Sequence, residues 1–130
     1  MKVTRVVLVI SGLLAAGLGL ALMFATQGFL AQQGITADDK VLVIGQAQGS
    51  LLVGLGIMNF LALRCSDVRG LQAVLGGNLA VQLTALVVNF RALSSGAVNA
   101  SVWGDVGGHV VLLLAFVGCL VLVGRQPAKA

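Results

Sequence analysis

The side chains best equipped for chemistry in this chain are Asp105 and His109. Four residues apart on a helix, they share one face and can meet. A carboxylate beside an imidazole fixes its tautomer and raises its basicity, which suits a proton relay or one metal ligand among several. The supporting cast is thin. His109 is the single histidine, and the acidic residues are four aspartates, Asp38, Asp39, Asp67 and Asp105, each in a loop or at a helix end. A metal centre needs further strong donors, and a haem would find one axial imidazole only. No Ser-His-Asp spacing, phosphate-binding glycine loop, His-Glu-x-x-His or Cys-x-x-Cys occurs. The expectation is therefore no catalytic set, no metal and no cofactor, with His109 hydrogen-bonded to Asp105 or to a glutamine.

Amides are the more numerous polar groups. The run from Leu71 to Phe90 is apolar enough to cross a bilayer, yet it carries Asn78, Gln82 and Asn89. At roughly 100° per residue these fall within an arc of about 40°. Acyl chains offer an amide no partner, so this stripe must face other helices or a wet cavity. Gln46 and Gln48 open the preceding apolar run and Asn59 stands near its far end. Inside a membrane bundle such amides serve either as interhelical hydrogen bonds or as ligand contacts. We expect Gln46, Gln48, Gln82, Asn89, His109 and Asp105 to line an outer pocket, and Asn59 and Asn78 to join helices.

The elements that must position these groups follow from composition. Of 130 residues 58% are hydrophobic and 9% charged, with mean hydropathy +1.06. Soluble domains are about 25% charged, so a water-facing surface cannot be built from this inventory. The sequence predicts one all-α domain over 1–130, with helices at about 6–30, 37–63, 67–90 and 105–123. The first run opens like a secretory signal after Lys2 and Arg5. Its apolar stretch exceeds the roughly 7–15 residues of a signal, so a retained helix is expected. Thr36 to Asp39 has capping-box spacing, and Ser66 or Asp67 can cap the third helix. The short Arg64–Arg69 loop makes helices two and three antiparallel neighbours. Ser94-Ser-Gly96 reads as a turn. Ala97 to Trp103 reads as a short interfacial segment with Trp103 at headgroup level. The tail after Val123 is polar.

Net charge +4 does not indicate nucleic acid, because the basic residues are dispersed between apolar runs. Four spans place Lys2, Arg5, Arg64, Arg69, Arg125 and Lys129 on one side, and Lys40 and Arg91 on the other. The positive-inside rule then assigns both termini to the cytoplasm. Cys65 and Cys119 fall towards that same reducing side, so free thiols are expected. Asn99-Ala-Ser101 is a glycosylation triplet without meaning outside a secretory eukaryotic host. Small residues recur at four-residue spacing in Ser11, Gly12, Ala15, Ala16 and Gly19, in Gly45 and Gly49, and in Gly104 and Gly108. Gly76, Gly77, Ala80 and Thr84 form another small face. Such faces let helices approach closely, within the chain or between copies.

The size and span count resemble the small multidrug exporters, but the glutamate which that family carries in its first helix is missing. A better likeness spans Gln46 to Leu122, through Gly49-Ser-Leu-Leu-Val-Gly-Leu-Gly-Ile-Met-Asn-Phe60, Gly77-Asn-Leu79, Asn99-Ala-Ser-Val-Trp103 and His109-Val-Val-Leu-Leu-Leu114. These stretches resemble small four-helix bacterial membrane proteins with a DoxX-like layout. The resemblance implies an inner-membrane bundle, names no substrate, and singles out Gln48, Asn59, Asn78, Trp103 and His109. The expected function is non-enzymatic: binding a lipid, another small amphipathic molecule or a membrane partner. The alternative is a small oligomeric transporter or channel with an amide-lined path.

Overall fold

Long runs of Leu, Val, Ala and Gly free of internal proline favour helix wherever backbone groups must satisfy one another. The computed structural model describes residues 2–125, and every regular element in them is a helix: α1 Lys2–Phe24, α2 Thr26–Gln32, α3 Asp39–Ala62, α4 Val68–Ser94 and α5 Val102–Gly124. The expected polar tail beyond Arg125, with Lys129, lies outside the described residues.

The boundaries depart from expectation at four places. The first run is two helices, broken at Ala25, whose φ of −129° and ψ of 31° leave the helical region. The Thr26 hydroxyl turns back to donate to the Leu22 carbonyl, which helps satisfy the backbone at the break. At α3 the cap is Asp38, accepting from Val41 N at 2.9 Å, so Thr36 is not the capping residue. At α4 the cap is Asp67, which accepts from Gly70 N at 2.6 Å. The helix then runs four residues past the expected Phe90 to Ser94. No separate interfacial segment precedes α5, which starts at Val102 and takes Trp103 into its first turn. Gly34 and Gly96 follow the ends of α2 and α4 with φ of 79° and 70°, the left-handed geometry that a side chain disfavours.

α1 packs on α3 and α4 packs on α5, whereas α3 and α4 share few contacts although a short loop joins them. Glycine explains the first pairing. Residues 45, 49 and 56 share one face of α3. A Cβ added at Gly49 would lie 2.7 Å from the Gly19 carbonyl oxygen, and one at Gly56 would lie 2.8 Å from that of Gly12. At Gly45 it would meet the Thr26 methyl at 2.6 Å. Backbone therefore touches backbone along this pair. The matching stripes on α4 and α5 behave differently. Among the described residues nothing lies within 4 Å of a Cβ built at Gly76, Gly77, Gly104 or Gly108. The expectation that these four pack helices is corrected for the chain itself, since no neighbouring element comes near enough.

The apolar core gathers where α1 begins and α5 ends, from Leu8, Ala62, Leu71, Leu75, Phe116, Cys119 and Val123. Cys65 and Cys119 are free thiols. Elsewhere large apolar side chains face outward: Phe24 is 81% exposed, Leu51 74% and Val111 67%. Thr4 is buried beside a cavity of about 10 Å³, and its Oγ1 has no hydrogen-bond partner among the described residues. A buried hydroxyl without a partner is a net cost. Thr4→Val is accordingly expected to raise stability by about 1 kcal/mol in reversible unfolding by denaturing detergent. A loss of similar size would show that the hydroxyl is satisfied.

Candidate functional site

Three polar clusters step along the molecule. The first joins three helices. Asn59 Nδ2 donates to Asn78 Oδ1 at 3.1 Å and to Ser11 Oγ at 3.2 Å. Asn78 Nδ2 returns a bond to Asn59 Oδ1 at 2.7 Å and also donates to the Val74 carbonyl at 2.9 Å. Ser11 Oγ in turn donates to the Leu8 carbonyl at 3.3 Å. Every amide hydrogen of the pair is thus used, which two residues 0% and 1% exposed require.

One turn further along α4, about 6 Å at 1.5 Å per residue, stands Gln82. It is buried, and its Oε1 lies 2.6 Å from His109 Nδ1. An amide oxygen only accepts, so His109 Nδ1 carries the proton and donates. In the neutral ring Nε2 is then left as an acceptor. His109 itself is half-buried, so this pair sits between the interior and the surface.

A turn back along α5, Asp105 is exposed and accepts from Gln33 Nε2 at 2.9 Å. Around it the end of α2 is tied to the α4–α5 loop: Asn99 N donates to the Gln33 carbonyl at 3.0 Å, and Ser101 Oγ and Asn99 Nδ2 both donate to that of Gln32 at 3.0 Å. Trp103, 56% exposed, stands edge-on to Phe90 with ring centroids 6.0 Å apart.

Of the six residues expected in one pocket, the structure brings together Gln82 and His109. Asp105 and His109 make no hydrogen bond with each other, because Gln33 engages the carboxylate and Gln82 the imidazole. Gln46 and Gln48 are exposed on α3, and Asn89 is half-buried on α4. The six therefore do not enclose a common cavity. Helical spacing says which groups share a face, but α3 packs on α1 and shares few contacts with α4, and its glutamines stay exposed. Sequence reading missed Gln33, whose place in a polar loop carried no signal of a partner 72 residues on. It also missed Ser11 as an amide partner, since a serine among alanines and glycines reads as a small residue.

Among the described residues no group of three His, Cys, Asp or Glu side chains is placed to hold a metal. These elements define an all-helical chain in which four helices, α1, α3, α4 and α5, are long and apolar enough to cross a membrane. No family model, curated protein or solved structure matches it.

Proposed function

We propose that this chain is a four-span bundle of a bacterial inner membrane that binds a lipid, or another small amphipathic molecule, on the half carrying His109. The order of contacts supports an antiparallel arrangement: Gly12 meets Gly56 and Gly19 meets Gly49, while Gln82 meets His109 and Phe90 meets Trp103. Lys2, Arg5, Arg64, Arg69 and Arg125 then fall at one end, and Lys40 and Arg91 at the other. That bias favours cytoplasmic termini.

The observation that carries the binding reading is the Gln82–His109 pair. Its imidazole is half-buried, its tautomer is set by a buried amide, and its Nε2 makes no hydrogen bond among the described residues. With no carboxylate hydrogen-bonded to it among the described residues, this imidazole is a poor proton relay but a suitable acceptor for the hydroxyl or amine of an amphipathic molecule. The test is photocrosslinking in nanodiscs of phosphatidylethanolamine and phosphatidylglycerol doped with a photoreactive acyl probe. Labelling near residue 109 is expected to fall about tenfold in Gln82→Leu and His109→Phe. Equal labelling in all three proteins would remove the site.

A transport reading has one observation in its favour: Asn78 and Gln82 follow one another along α4, as Asp105 and His109 do along α5, so the three polar clusters form a column. Solute flux in proteoliposomes that vanishes in Gln82→Leu would favour it over binding.

A further inference from the structure

We propose a second binding site, for the phosphate of an anionic phospholipid, at the end of the bundle where α1 begins and α5 ends. Charge is unevenly shared between the two ends. Among the described residues this end carries Lys2, Arg5, Arg64, Arg69 and Arg125 against one carboxylate, Asp67, which is engaged as the cap of α4. The opposite end sets Lys40 and Arg91 against Asp38, Asp39 and Asp105. Five cations with one carboxylate leave +4 here, and two cations with three carboxylates leave −1 there. Geometry narrows the positive charge to one place. Arg5 lines a crevice between α1, the α3–α4 loop and α4, whose other walls include Leu63, Cys65 and Leu71. Arg64 stands in the chain between two of those residues, and Lys2 lies three residues before Arg5 on the same side of α1. All three cations are exposed. The crevice floor, about 10 Å³, has room for one water-sized oxygen. The Thr4 hydroxyl beside it is buried and without a partner among the described residues.

These groups are all donors, and they call for an anionic acceptor. Phosphate oxygens accept from guanidinium, ammonium and hydroxyl groups alike. The phosphate stays at the mouth, among Lys2, Arg5 and Arg64, with one oxygen turned towards Thr4. What lies beneath selects the source. Val6, Ile10 and Leu13 are exposed and continue down the side of α1 that carries Lys2. Cations above an apolar, outward-facing stripe match a headgroup above its acyl chain, and a free phosphate would leave the stripe unused. The positive-inside bias accounts for the side on which cations lie, but not for their meeting an unpartnered hydroxyl at one crevice. The site rests on reading the four long helices as spans. It shares no residue with the His109 site and lies at the opposite end.

The experiment places the protein in phosphatidylcholine vesicles and adds spin-labelled phosphatidylglycerol or spin-labelled phosphatidylcholine. Electron paramagnetic resonance then reads how strongly each lipid associates. Phosphatidylglycerol is expected to be preferred about tenfold, and Arg5→Gln and Arg64→Gln are each expected to lower that preference about fivefold. Arg69→Gln is the control for diffuse charge. It removes a cation from the same end, but about 200° round α4 from the lining Leu71, and should change the preference less than about twofold. All three arginines are exposed, so folding should persist. Equal losses in the three variants would reduce the site to general surface charge and overturn the proposal. So would displacement of phosphatidylglycerol by inorganic phosphate at matched ionic strength, the mark of a free-anion site. An unchanged preference in Arg5→Gln, with labelling near residue 109 intact, would remove this site and leave the reading under Proposed function standing.

Discussion

Gly49→Ala is expected to destabilise the protein by about 3 kcal/mol or more, the upper range for forcing extra atoms into a packed interior. The added methyl would lie 2.7 Å from the Gly19 carbonyl oxygen and 2.9 Å from Met23 N. Both obstacles are backbone, so no rotamer change relieves them and α1 must move off α3. The reciprocal substitution, Gly19→Ala, meets the Gly49 carbonyl at 2.6 Å and Val53 N at 2.7 Å, and should cost as much. Gly54→Ala is the control. It lies on the same helix with nothing within 4 Å, and alanine's helix preference predicts a gain of about 0.5–1 kcal/mol. Unfolding in mixed micelles, followed by circular dichroism, measures all three. Equal, small effects at Gly49 and Gly54 would show that the close approach of α1 and α3 is not real.

The second large effect concerns the reciprocal amides. Asn78→Leu removes both bonds that Asn59 makes to α4 and leaves that fully buried amide only its bond to Ser11 Oγ, with its own Oδ1 unsatisfied. Leaving one buried polar group unsatisfied costs about 1–3 kcal/mol. Interhelical bonds in membranes reach only about 1.7 kcal/mol, because the unfolded reference also finds partners. We therefore expect a loss of about 2 kcal/mol for Asn78→Leu and a similar loss for Asn59→Leu, because each leaves its partner one bond, Asn59 to Ser11 Oγ and Asn78 to the Val74 carbonyl. In Asn59→Leu/Asn78→Leu no amide is orphaned, and most of the loss should be recovered. A double-mutant cycle reads this as a coupling of about 3 kcal/mol. Strict additivity would mean that the two side chains do not meet.

This coupling also bears on how the four long helices are held. α3 and α4 share few contacts, and the reciprocal Asn59–Asn78 bonds tie the two together. At the opposite end the ties are again polar, through Gln32, Gln33, Asn99, Ser101 and Asp105. Hydrogen bonds at two levels substitute for the continuous apolar seam that joins α1 to α3.

What the sequence determined by itself was the helical class, four stretches long and apolar enough to cross a membrane, and the need of Asn78 and Gln82 for partners. Each is a local property: hydropathy over about 20 residues, backbone self-satisfaction, and the cost of an unpaired amide. What only the tertiary structure decided was which face meets which. Gly45 and Gly76 have the same side chain and similar settings, yet one is pressed against Thr26 and the other faces open space. His109 stands one turn from Asp105 but bonds to Gln82, 27 residues away. Helical periodicity places a residue on a face, and the direction in which the next helix leaves its loop determines whether anything lies opposite. The break at Ala25 belongs with these. Thr26 and Gln27 interrupt the apolar run in the sequence, but a polar pair does not by itself end a helix, and only the structure shows the backbone breaking at Ala25 with Thr26 seated against Gly45 of α3.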